Sequence, residues 1–205
     1  MVEHTEIPEP VHEHVHHEAH GDGRFRQLAA IYVGVVAMLL AIASLGGGKA
    51  TKEMLSANIH ASDTYAFAQA KYLRETQYQL AADQLEFEAN HLPGLSDEGK
   101  TKAGERIQHY RSNAARYESD PTSGEGRQQL LAKAKEIEAS RDHAEAQDRN
   151  FEYAAALFQI AIVLGSVAIV AASPALLGLS AILTVAAAAL TANGYFLFVQ
   201  LPSIG

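Results

Sequence analysis

Half of the stretch VHEHVHHEAH, from Val11 to His20, is histidine: His12, His14, His16, His17 and His20. Imidazole nitrogen suits Zn, Cu and Ni, and Glu13 and Glu18 can add carboxylate oxygen. Were the stretch helical, His12, His16 and His20 would share a face, as would His14 and Glu18. The spacing matches no defined site, however. Pro8 and Pro10 stand upstream, and Gly21 and Gly23 unhinge the stretch from the first apolar block. The expectation is therefore a tail that binds Zn, Ni or Cu weakly, since a His-rich tract is a compositional signal only. The same side chains titrate near neutral pH. Up to Arg26 the chain carries six acids against two arginines, so falling pH would carry this acidic tail toward positive charge.

A second group of polar residues comprises Asn58, Ser62, Asp63, Tyr65, Gln69 and Lys71. Asn58, Ser62, Tyr65 and Gln69 follow a 4-3-4 spacing that places them on one helix face, and Asp63 and Lys71 lie apart from them. Such a stripe either fixes the register of paired helices, as a buried Asn does, or lines a groove for a partner; the first reading is the commoner. No catalytic set accompanies it. Gly46-Gly47-Gly48-Lys49 lacks the opening glycine and preceding strand of a phosphate-binding loop, and reads as a helix-end hinge. There is no HExxH and no nucleophile elbow, and the absence of Cys removes thiol chemistry. Neither charged zone has the basic surplus that a phosphate backbone attracts, which argues against nucleic acid. The chain reads as a non-enzyme without a resident cofactor.

The elements that hold these residues are set by how apolar residues are distributed. They make up 48% of the 205 residues, and they are gathered into blocks. Gln27 to Leu45 has no charge, and none comes after Glu152. Three transmembrane helices are expected, over 27–46, 153–173 and 174–200, each long enough for ~30 Å of hydrocarbon. Ser173-Pro174 separates the last two. A long acidic tail over 1–26 precedes the first span, unlike the short basic start of a signal peptide, and a short tail over 201–205 ends the chain. Small residues mark faces where helices can approach closely in lipid: Ala30 and Gly34 in the first span, and Ala161, Gly165, Ala168 and Ala172 in the second. These faces serve packing within the three-helix bundle or oligomerisation.

Residues 47–152 read as helix almost throughout. Ile59, Ala66, Leu73, Leu80 and Phe87 recur every seven residues and read as the seam of a weak coiled coil. His91-Leu92-Pro93-Gly94 ends that helix. Ser96 then caps the next, with Asp97 and Glu98 in its first turn. That helix shows the stripe Ala103, Ile107, Tyr110, Ala114, Tyr117 and is broken by DPTSGEG over 120–126. A last helix carries Leu130, Ile137, Ala144, Phe151 and Phe158 at intervals of seven and runs into the second span without interruption. The outgoing leg of ~63 Å matches the two return pieces of ~70 Å. The expected fold is thus all-α: three transmembrane helices, with a long antiparallel, coiled-coil-like helical hairpin between the first and second and its tip near 91–96. Arg24 and Arg26 favour a cytoplasmic N-terminus.

NIHASDTYAFAQAK (Asn58 to Lys71), with IASLGGGKATKEML before it and ALFQIAI (Ala156 to Ile162) after it, resembles a bacterial membrane family known only as a domain of unknown function, number 4337 of that series. The resemblance covers most of the chain and implies the order span, helical insert, paired spans, with a His- and Glu-rich N-terminal tail and no assigned activity. It also implies basic residues between the last two spans, where this chain has the uncharged SPALLG. The expected protein is a multi-pass inner-membrane scaffold or accessory subunit. It contacts the lipid bilayer and assembles as a homo-oligomer or within a larger complex. The alternative is a metal- or pH-responsive sensor that uses the His tail.

Overall fold

The computed structural model describes residues 11–91 and 94–200, with side chains from Gly23 onward. The expected His ligands His12, His14, His16, His17 and His20, most of the 1–26 tail, and the 201–205 tail lie outside the described side chains. Four α-helices come in order, α1 (Val11–His91), α2 (Asp97–Glu118), α3 (Arg127–Ala171) and α4 (Pro174–Phe196), and the described residues contain no strand. Segments within α1, α3 and α4 are long and apolar enough to cross a membrane. The chain divides into two units. Unit 1 combines Met1–Thr51 with Ala144–Gly205, and unit 2 is Lys52–His143.

Unit 1 is held by small residues that let large ones in. On α1 the buried residues are Ala29, Val36 and Ala43, every seventh position, and then Gly46 and Ala50. Val36 and Ala43 share a core with Ala154, Phe158 and Ala161 of α3 and Ala187 of α4, and Tyr32, Leu40 and Leu183 pack around it. The expected hinge at Gly46-Gly47-Gly48 is not one, because α1 runs through it. Gly46 is buried because the Phe151 ring occupies the place of its missing side chain: a Cβ there would lie 2.6 Å from Phe151 Cε1. Gly194 of α4 faces the same ring, at 2.8 Å. Phe151 therefore fills a socket formed by two glycines, and the edge of Tyr195 meets it with centroids 4.9 Å apart. Gly165 acts similarly, since a Cβ there would meet Val33 at 2.7 Å.

The small-residue faces divide accordingly. Ala161, Gly165 and Ala168 are buried as packing residues and Ala172 is half-buried, while Ala30 and Gly34 are exposed. In the first span the packing within the chain uses the neighbouring column, Ala29, Val36 and Ala43, one to two residues round the helix. Between α3 and α4 the chain reverses at Ala172, whose φ is 48°. The Ser173 N–H closes on Ala168 O at 3.1 Å. Pro174, at the first position of α4, costs no helical hydrogen bond there.

Unit 2 corrects the expected seam. Ile59, Ala66, Leu73, Leu80 and Phe87 are all exposed. The buried column of α1 is Ala61, Ala68, Glu75 and Ala82, also every seventh residue but displaced by two. Alanine permits closer helix approach than Leu or Ile, and a charged residue in this column finds a partner, so the smaller stripe faces inward. Against it stand Leu130 and Ala134 of α3 and Ala114 of α2, all buried. The α2 stripe holds as expected: Ala103, Ile107, Tyr110 and Tyr117 are half-buried around Ala114. Contacts from α1 run Tyr65 to Glu138, Lys71 to Glu125, Glu75 to Arg127 and Glu86 to Arg111, so partner numbers fall from the first pair to the last, with the neighbouring Lys71 and Glu75 pairs both reaching the chain around the start of α3.

The breaks between helices are built locally. Ser96 caps α2 by accepting the Gly99 N–H at 3.2 Å, with Asp97 and Glu98 in the first turn. Between α2 and α3, Asp120 accepts the Ser123 N–H at 3.2 Å. The Ser123 side chain, and then its N–H, hold the Asp120 carboxyl below its ordinary range. Gly124 takes φ +70°, where a side chain would be strained. Gln129 reaches back from α3, accepting from the Asp120 N–H at 3.2 Å and donating to Ser119 Oγ at 3.0 Å.

Candidate functional site

The most buried charge among the described residues is Glu75, at 5% exposure in the alanine column of α1. Arg127 at the start of α3 donates to it from Nε at 2.8 Å, and Gln79, one turn along α1, lies 3.4 Å from its other oxygen. Arg127 is also 3.7 Å from Glu118 of α2 and lies over the Tyr72 ring at 5.7 Å. The hydrogen bond to Glu75 strengthens the guanidinium's hold on its proton. One arginine thus ties together all three helices of unit 2. A carboxylate enclosed in this way is not open to a ligand, so the cluster is a clasp. Beside it, Tyr78 stacks on Tyr117 with centroids 5.6 Å apart and tilts against Tyr110 at 6.0 Å.

The six-residue polar group is not one site. Tyr65 and Lys71 turn toward the other helices. The Tyr65 hydroxyl donates to Glu138 at 3.0 Å, a bond that holds its proton above the ordinary phenol range. Lys71 reaches Glu125 at 3.4 Å and covers the Phe67 and Tyr117 rings at 4.9 and 5.7 Å. Asn58, Ser62, Asp63 and Gln69 are exposed. The shared face expected for Asn58, Ser62, Tyr65 and Gln69 is therefore split by the position of the inner seam.

Unit 1 has two polar knots, in which Thr184 and Asn193 act as the interhelical hydrogen-bonders their residue types suggest, while Tyr32, Ser180 and Asn150 complete them. The Tyr32 hydroxyl lies 2.6 Å from Thr184 Oγ1 and 2.9 Å from Ser180 Oγ, and Ser180 donates to the Ala161 carbonyl at 2.6 Å. These bonds join α1, α3 and α4. The second knot is Asn150, fully buried on α3, whose Oδ1 accepts from Asn193 of α4 at 2.7 Å. Its own Nδ2 donates to the Ala146 carbonyl at 2.8 Å. Asn193 also exchanges two hydrogen bonds with the backbone of Val199, at 2.8 and 2.9 Å. Every polar atom named in these knots has a partner, as burial demands. Thr51 of α1 donates to Asp148 of α3 at 2.8 Å as a third tie.

A groove of about 660 Å³ lies in unit 2 between α1 and α3 and is open to the surface. Lys52 and Lys133 line it with Glu53 and Glu136, a balanced set that selects neither anions nor cations. Among the described residues no three His, Asp or Glu side chains converge as metal ligands. What the geometry does chemically is join helices. Glu75, Arg127, Tyr32, Ser180 and Asn150 were not picked out from spacing, although an Ala-x6-Ala-x6-Glu-x6-Ala column was visible for the first of them.

No curated protein and no solved structure matches the chain. A family model described as a domain of unknown function, DUF4337, matches residues 25–197, from the start of the described α1 side chains to the end of α4, and the chain belongs to that family.

Proposed function

We propose that the protein is a non-enzymatic integral membrane scaffold or accessory subunit, with three helices in the bilayer and unit 2 as an antiparallel helical hairpin between the first two. The observation that carries this reading is the use made of polar groups. In unit 2 polar and charged groups pair from helix to helix, from Tyr65 and Glu138 to Glu86 and Arg111, and the charges along its groove are balanced in sign. In unit 1 the apolar side chains point outward as well as inward: Met38, Val163, Val170, Ile182 and Val185 are exposed. Such a surface suits hydrocarbon and is costly in water. The polar knots inside are of the kind that join helices in lipid, where each bond contributes about 0.6–2 kcal/mol.

A scaffold acts by holding copies or partners. The test is to extract the whole protein in native lipid nanodiscs and measure particle mass. An assembly of fixed stoichiometry, homomeric or with another membrane protein, is the expected result. A lone monomer in lipid would contradict the reading.

A further inference from the structure

We infer that the exposed stripe Leu55, Ile59, Leu73, Leu80 and Phe87 on α1 is a self-association surface that packs against the same stripe of a second copy of this chain. This rests on the scaffold reading and names the surface and the partner it uses. The five side chains are 53, 60, 61, 63 and 63% exposed, in chain order. Single exposed leucines need no explanation, but an aligned row does. From Ile59 onward the row, with Ala66, keeps a strict interval of seven.

That interval specifies the partner's shape. A strict seven-residue row drifts about 20° per heptad around a straight α-helix and stays on one line only when the helix supercoils to the left. The inner column Ala61, Ala68, Glu75, Ala82 has the same interval and faces its own partners along its whole length. The winding that keeps the inner column inward therefore keeps the outer row straight as well. The rows are displaced by two residues, about 200° around the helix, so they lie on opposite faces. The surface is thus a straight apolar ridge that fits another helix with a seven-residue repeat of similar length. A second copy supplies such a ridge.

The flanks of the row suit self-pairing. A homotypic contact sets each flanking residue near its own counterpart, which penalises charges of one sign. Here the exposed flanks are largely neutral donors and acceptors, Asn58, Ser62, Gln69, Gln77 and Gln84. The exposed charged members, Asp63, Arg74, Asp83 and Glu88, are few and of both signs. The size is sufficient too. Leu55 to Phe87 spans ~50 Å at helix widths of ~10–12 Å, giving ~1,000–1,200 Å² over both copies, at the lower bound of specific interfaces.

The chain has no cysteine, so single introduced thiols report cleanly. In the full-length protein in native nanodiscs, Leu73→Cys and Leu80→Cys should form disulfide-linked dimers under mild oxidation. Gln128→Cys on α3 should not. The double variant Leu73→Glu/Leu80→Glu should shift the particle to monomer with helical content unchanged. If that variant fails to fold, the two cysteine variants decide alone. Three results would overturn the inference. An assembly that persists in the double variant without crosslinks at Leu73 and Leu80 would remove the stripe and leave the scaffold reading standing. A stoichiometric complex with one copy of this chain would mean the partner is a different protein. A lone wild-type monomer would remove both proposals.

Discussion

At the scale of single residues, one buried carboxylate has the greatest leverage. Glu75 is enclosed and its main partner is Arg127, itself only a quarter exposed. Breaking a buried pair by removing one member costs more than replacing both, because the remaining charge is left desolvated. Arg127→Met should therefore destabilise unit 2 by about 3 kcal/mol, leaving Glu75 only Gln79 at 3.4 Å. The double replacement Glu75→Leu/Arg127→Leu should recover most of that loss. Thermal unfolding of the intact protein in detergent, monitored by circular dichroism, compares the two. Equal destabilisation by the single and double changes would mean that the clasp contributes through packing and not through charge.

At the scale of elements, Phe151 shows how sequence and structure relate. Its place in the interval-of-seven series Leu130, Ile137, Ala144, Phe151, Phe158 was legible, and it is buried at 3%. Its socket was not legible. Gly46 and Gly194 are far apart in the chain, and nothing local distinguishes a glycine that hinges a helix from one that receives a ring. The same limit explains the α1 seam. Two columns with one period lie on opposite faces, and hydrophobicity favours the Ile-Leu-Phe column, whereas close packing and the Glu75–Arg127 pair select the alanine one. Helix ends set by local chemistry, the Ser96 cap and the Pro174 start, were readable because their causes lie within a few residues. Tyr65 and Lys71 were found with the polar group, but their separation from Asn58 and Gln69 depended on which column turned inward. The socket makes a contrast that can be measured. Phe151→Ala leaves a cavity worth about 3–5 kcal/mol, and Gly46→Leu pushes a side chain into the ring. Each should lower the unfolding temperature of unit 1, and Gly46→Leu combined with Phe151→Ala should be milder than the two effects added. Simple additivity would show that the ring does not occupy the glycine's space.

At the scale of the whole molecule, family membership over residues 25–197 goes with three helices apolar enough for a bilayer, and with a helical insert whose polar groups serve its own packing. On the proposed reading the chain crosses the membrane three times, with unit 2 between the first and second crossings. Three crossings place the N-terminal tail on one side, and unit 2 with the end of α4 on the other. Single cysteines at Thr5, Ser112 and Gln200, labelled with an impermeant maleimide in intact cells and in inverted vesicles, test this directly. Ser112→Cys and Gln200→Cys should label from the same side and Thr5→Cys from the opposite one. Labelling of all three from one side, or of Ser112 and Gln200 from different sides, would contradict the claim.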